Sequence, residues 1–211
     1  MNEINYEIFI KGFLLQASLI LVLGAQNLFI IDIGLKRNYQ YLAATLCACC
    51  DTLLIGLGVF GVATFLAQSP IFKMVISLLG AGFLIYYAIL KLKKAFAKTI
   101  NQQTKMSQRL SKKKVIVATL SFTLLNPHVY LDTFILIGGF SIQYQSMSNK
   151  LIFALGASSF SALWFYGLAL FSSKFNRILN NRKSEKAMTI ITSLILIYLA
   201  FNLLWFSVKS A

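Results

Sequence analysis

The sequence predicts an all-α membrane protein of six transmembrane helices, arranged as two inverted three-helix repeats. Of 211 residues, 58% are hydrophobic and 12% are charged, a balance that no water-facing globular surface tolerates. The apolar residues fall into six blocks, each able to supply the roughly 20 residues that a helix needs to cross a bilayer. The few polar residues inside those blocks recur in similar places in the two halves of the chain.

The first block, about 8–31, follows Glu3 and Glu7. It has neither a basic leading region nor a small-residue cleavage site, so it reads as a retained helix and not as a signal peptide. The second, about 40–66, carries CACCDTLLIG and GLGVFG, and the third, about 71–96, runs into a basic cluster. Residues 97–113 are polar and basic with no apolar periodicity, which marks a linker. The remaining blocks are about 115–138, 150–172 and 187–208. Little chain is left over, so residues 1–211 read as a single transmembrane domain, with halves at about 1–96 and 114–211.

Twenty Lys and Arg stand against six acids. In a soluble protein that excess would suggest nucleic acid; here the cations cluster between apolar blocks and read as anchors beside anionic lipid. Lys36 and Arg37 follow the first block, nine basic residues run from Lys91 to Lys114, and five run from Lys174 to Lys186. The other side holds only Lys11, Lys73, Lys150 and Lys209. The positive-inside rule then puts both termini outside and the three basic connections in the cytoplasm.

Three spans per half is an odd number, so the second half inserts upside down relative to the first. QNLFIID at 26–32 and NPHVYLD at 126–132 pair Gln26 with Asn126 and Asp32 with Asp132. A shift of 111 pairs Gly56 with Gly167 and sets Asp51 opposite Ala162.

An Asp at a helix centre costs about 2.5–3.5 kcal/mol on insertion, so such a residue usually faces a cavity and serves function. Asp51 lies midway along the second span; the alternative is a protonated carboxyl bonded to a neighbouring helix. Asp32 falls near the cytoplasmic end of the first span and Asp132 toward the outer end of the fourth, as two gates or as interfacial residues. Pro127 removes a backbone N–H, and Asn126 can re-bond locally, which predicts a helix break in the fourth span. Gly24, followed by Gln26 and Asn27, offers a matching weak point in the first. Transporters aim such breaks at charged substrate groups; the plainer reading of Asn-Pro is a packing kink.

His128, the only histidine, suits a proton relay, a substrate contact or a bond to a carbonyl. One histidine without other clustered ligands makes no metal centre. Cys47 and Cys50 make one C-x-x-C, which admits thiol chemistry, although buried cysteine is commonly a small core residue. GLGVFG follows no strand, so the dinucleotide reading fails and close helix packing remains. No cofactor, no metal and no enzyme activity are expected.

LGAQNLFIIDIGLKRNY at 23–39, LCACCDTLLIG at 46–56 and LNPHVYLDTFILIG at 125–138 resemble the LysE-type amino-acid exporter family of bacterial inner membranes. FALG at 153–156 and LWFYGLAL at 163–170 are most similar to its arginine-exporter branch. Ala25 departs from the Pro that the family usually carries there, which puts the first break in doubt. The resemblance implies export of arginine or lysine, driven by membrane potential and proton exchange, and carries Gln26, Asn27, Asp51, Asn126, Pro127, His128 and Asp132 over as motif residues.

The expectation is therefore a secondary transporter working by alternating access. Asp51, Gln26, Asn27, Asn126 and His128 bind substrate or couple protons, while Gly24, Pro127, Asp32 and Asp132 form breaks and gates. The alternatives are a metal-cation efflux permease and a transmembrane thiol oxidoreductase, both of which would need the cysteines. Expected partners are a basic amino acid and membrane lipid, with a homodimer allowed by glycine-rich faces such as Gly56, Gly58 and Gly61 or Gly80 and Gly82.

Overall fold

The computed structural model describes residues 3–21, 24–61, 70–96, 110–174 and 182–209, and every regular element among them is helical. The first block is two helices, α1 (Glu3–Ile20) and α2 (Ala25–Leu35), whose axes differ by 81°. Next come α3 (Gln40–Val59) and α4 (Pro70–Phe96). The fourth block is again split, into α5 (Lys112–Leu124) and α6 (Pro127–Ser141), bent by 57°. Helices α7 (Met147–Lys174) and α8 (Arg182–Lys209) complete the chain. Most of the expected linker, 97–109, and the 62–66 end of the second block lie outside the described residues.

Among the described residues, α3 and α7 are each long and apolar enough to cross a bilayer, and each bent pair would be so as a unit. Within α8 the apolar stretch Thr189–Asn202 is shorter. Six spans and their inverted relation thus remain a sequence expectation, whereas the all-helical, apolar architecture is observed.

Each break has a local cause. Gly24 is the extended residue before α2 (φ −86°, ψ 176°), and its carbonyl accepts the Leu28 N–H at 3.1 Å, the first bond of the new helix. Lacking a side chain, it offers no cap. At the second break Asn126 Oδ1 accepts the His128 N–H at 3.2 Å, and Pro127 occupies the first helical position, where a missing N–H costs nothing. The helix starts therefore match Gly24 with Asn126 and Ala25 with Pro127. That register differs by two residues from the one that pairs Gln26 with Asn126: Asp32 comes eight residues after Gly24 and Asp132 six after Asn126. The first break forms with Ala25 in place of proline.

Residues Leu131–Ile137 of α6 form a π-helical turn. Thr133 Oγ1, within the turn, donates to the Val129 carbonyl one turn earlier at 2.6 Å. The widened backbone lies against α3 at Gly58, where any Cβ would strike the Thr133 carbonyl. Gly12 and Gly156 likewise let α1 and α7 meet backbone to backbone, each facing a carbonyl of the other helix, Phe153 and Phe9.

The two larger apolar cores among the described residues lie toward opposite ends of α3. One gathers Ile8, Ile55, Val59, Ile137, Tyr144 and Phe153. The larger gathers residues of α2, α3, α4, α5, α7 and α8, among them Phe29, Ala44, Leu84, Phe122, Phe165 and Leu196. The chain runs from the first core toward the second along α1 and α2, and from the second toward the first along α5 and α6. Basic residues mark the second end: Arg37 Nε donates to the Ser173 carbonyl at 3.2 Å, beside Lys174.

Candidate functional site

Helix α3 buries one stripe, Ala43, Cys47, Asp51, Leu54, Ile55 and Gly58, at the three- and four-residue spacing of a single helical face. That stripe carries the Asp51 carboxyl into the protein, where it is 5% exposed. Ser161 of α7, fully buried, donates from Oγ to Asp51 Oδ2 at 2.6 Å. Gln26, in the first turn of α2, lies beside both Asp51 and Cys47. Its Nε2 is buried and makes no hydrogen bond of good geometry, so the amide rests against these groups without being spent on them. Asp132 stands near enough for its charge to act on Asp51. Among the described residues neither carboxylate forms an ion pair.

The two breaks meet at one cavity of about 410 Å3. Gly24 and Ala25 line it from the first break, and Leu125, Asn126 and His128 from the second. Gly80, Phe83 and Leu84 of α4 and Leu199, Asn202 and Trp205 of α8 form the opposite wall. Asp51 is not part of this lining; Gln26, two residues beyond Gly24, is the neighbour it shares with the first break. The sequence spacing anticipated both breaks; that they share a cavity with α4 and α8 needed the tertiary structure.

Each break also carries a side chain that reaches back across it. Asn27 Nδ2 donates to the Ile20 carbonyl at 2.9 Å, closing the end of α1, while Trp164 Nε1 donates to Asn27 Oδ1 at 3.3 Å. Tyr130 Oη donates to the Leu124 carbonyl at 2.5 Å, closing the end of α5. The Asn27 amide thus braces the break and α7. Asp132 is half-buried in the π turn.

Asp32 has the opposite surroundings. Its carboxylate, 5% exposed, accepts from Lys36 Nζ at 3.0 Å and from Lys91 Nζ at 3.1 Å. Lys91 reaches across from α4, is itself 8% exposed, and also donates to Thr192 Oγ1 of α8 at 3.2 Å. Counting cations along the sequence makes Lys91 one anchor among nine; its inward turn left no trace in that count.

Among the described residues no three His, Cys, Asp or Glu gather as a metal site. Cys47 is buried with its Sγ 3.9 Å from Thr123 Oγ1, Cys49 is exposed and Cys50 half-buried, all as free thiols.

Comparison with known proteins adds identity to this geometry. The family model described as LysE type translocator matches residues 17–207. The "Arginine exporter protein ArgO" of Klebsiella pneumoniae strain 342 is 37% identical over 195 residues, 92% of each chain. The protein of that name in Salmonella typhimurium strain LT2 has the same identity and coverage. A "Putative amino-acid transporter YggA" of Aeromonas salmonicida is 39% identical over 194 residues, 92% of this chain and 94% of its own. No solved structure matches the chain.

Proposed function

The chain belongs to the LysE type translocator family, a transporter and not an enzyme, and on that premise we propose that it exports a basic amino acid, arginine or lysine, from the cytoplasm across the inner membrane. The observation that carries this reading is Asp51: a buried carboxylate held by Ser161 and faced by Asp132, with no cation paired to it among the described residues. A guanidinium or ammonium group in transit needs such a partner in low dielectric. Relatives named as arginine exporters, alike over nearly the whole chain, support the same substrate class.

The cavity suits the other end of the substrate. The first N–H groups of α2 have no partners within the helix, and Gly24 supplies no side-chain cap, so they carry partial positive charge toward an incoming carboxylate. Asn126, His128 and Ser121 add polar atoms to an otherwise apolar wall. At about 410 Å3 the space falls within the rough 300–1,000 Å3 range of small-molecule pockets.

Six spans in two inverted halves, moving by alternating access and driven by membrane potential and proton exchange, complete the proposal. Its support is the order broken, straight, straight in each half, with the broken helices running in opposite directions. Both termini face outward in this reading, supported by the basic residues of α2, α4 and α7 collecting at one end. The test is efflux from proteoliposomes preloaded with labelled arginine or lysine. Saturable, potential-sensitive efflux that Asp51→Asn abolishes is the expected result. No efflux of either amino acid, with Asp51→Asn matching the native chain, would overturn it.

A further inference from the structure

The face of α4 that lines the cavity continues beyond it. Gly80, Phe83 and Leu84 touch the cavity, Tyr87 follows one turn later and Lys91 one turn after that. Gly80 and Lys91 are thus roughly 16 Å apart along the axis at 1.5 Å per residue. At the level between them, Phe29, Phe83, Tyr87 and Phe122 form an aromatic plug. The Phe29–Phe122 and Phe83–Phe122 ring centroids are 4.7 and 4.8 Å apart, and Tyr87 sits 4.9 Å from Phe122. Past the plug, toward the basic end, the Lys91 ammonium lies 5.8 Å from the Tyr87 ring centroid, on Asp32 and Thr192.

The contacts of Lys91 with Asp32 and with Thr192 both cross between elements. Asp32 belongs to α2, the second part of a broken helix, whereas Thr192 belongs to α8, which packs along α4. One side chain therefore ties the α4–α8 pair to α2 across the line on which the cavity would open toward the basic end. The tie holds two ammonium groups, Lys36 and Lys91, against one carboxylate. It thus presents a surplus of positive charge to any cation approaching along that line.

We propose that Lys91 is the cytoplasmic gate of the transport path: seated on Asp32 and Thr192 it holds the path shut, and it opens by swinging its ammonium toward the interface. A four-carbon stem permits that excursion, since lysines near membrane surfaces extend their heads to water. When Lys91 leaves, Asp32 and Lys36 remain as a neutral pair, and a cationic substrate meets a carboxylate in place of a positive barrier. The substrate and the sidedness rest on the export reading above; the closure itself rests on the tie.

The test needs no substrate. A chain with Cys47, Cys49 and Cys50 replaced by serine receives one probe, Ser121→Cys, on the cavity wall. A membrane-impermeant maleimide is then applied to inside-out and to right-side-out vesicles. Lys91→Met is expected to raise cytoplasmic labelling roughly threefold or more and to lower labelling from outside, because the two closures share one population. Lys91→Arg keeps the charge and leaves both rates near native. Labelling raised from both sides would mean general loosening, and labelling unchanged from both would mean a purely structural tie; either result overturns the gate. Should Lys91→Met fail to fold, Thr192→Val removes one contact without stranding a charge, and the same asymmetric shift, smaller, is required of it. Efflux of arginine and lysine is measured in parallel on the chain that keeps Ser121, native and with Lys91→Met. Labelling that shifts without any efflux refutes the export reading alone, and efflux with unmoved labelling refutes the gate alone.

Discussion

Asp32 and Asp51 are buried to the same degree, each 5% exposed, yet the fold surrounds them in opposite ways. Asp32 accepts from two lysines and, through Lys91, is tied to α4 and on to α8. Asp51 has a serine hydroxyl, a nearby glutamine amide and a second carboxylate. A buried ion pair is costly to break because it strands its partner, whereas a buried carboxyl without a counter-ion strands nothing when removed. On the proposed reading, the contrast separates an acid that holds the path closed from one that receives a cation not part of the chain.

The largest effect should therefore fall on stability at Asp32. Asp32→Asn leaves Lys91 buried without its charge partner and should cost about 3–5 kcal/mol, read as a drop in thermal unfolding temperature of the purified protein in detergent. The double variant Asp32→Asn with Lys91→Met should recover much of that loss. Asp51→Asn removes no partner of opposite charge, and its unfolding temperature should stay near native even as transport disappears. Equal destabilisation by the two single variants would erase the distinction.

Ser161→Ala sharpens the comparison at the next scale. It removes the hydroxyl that donates to Asp51 Oδ2 at 2.6 Å, at a cost of about 1–3 kcal/mol if the carboxyl finds no other donor. Because Ser161 also fixes where the carboxylate points, the substrate concentration for half-maximal efflux should rise more than the maximal rate falls. A stability loss with unchanged transport constants would make Ser161 a structural residue only.

The difference between these acids was half legible in the sequence. Asp51 stands out because an ionisable residue midway along an apolar block has few neutral explanations, and the structure does bury it. Asp32 was legible as a residue near one end of a block, but its partner was not. Lys91 lies 59 positions away and belongs by count to a basic cluster, and nothing in local spacing tells an inward lysine from an outward one. The breaks were foreseen from Gly24 and from Asn126-Pro127, and the pairing of the two helix starts differs by two residues from the pairing read in the sequence. The latter matched side-chain type, Gln26 with Asn126, where backbone geometry matches the residue that precedes each helix. Ala25 concealed that correspondence by occupying the first helical position without being proline. Asp132 was placed toward the outer end by its position along the fourth block; its nearness to Asp51 depends on how the π turn packs against α3 at Gly58.

The smallest effect is expected at Lys36, and its sign is the informative part. Lys36 lies one turn from Asp32 on the same helix, with its side chain 30% exposed, so such a pair contributes about 0–1 kcal/mol and weakens with salt. Lys36→Met should barely move the unfolding temperature, because Lys91 still neutralises Asp32. It should nevertheless act on the gate in the direction opposite to Lys91→Met. With Lys36 gone, departure of Lys91 would leave Asp32 charged and alone in a buried site, so the closed arrangement gains relative to the open one. Cytoplasmic labelling of the Ser121→Cys probe should then fall below native. Labelling that rises in Lys36→Met, as in Lys91→Met, would mean that the two lysines share one role, and that the asymmetry between a buried tie and its exposed companion has no consequence for motion.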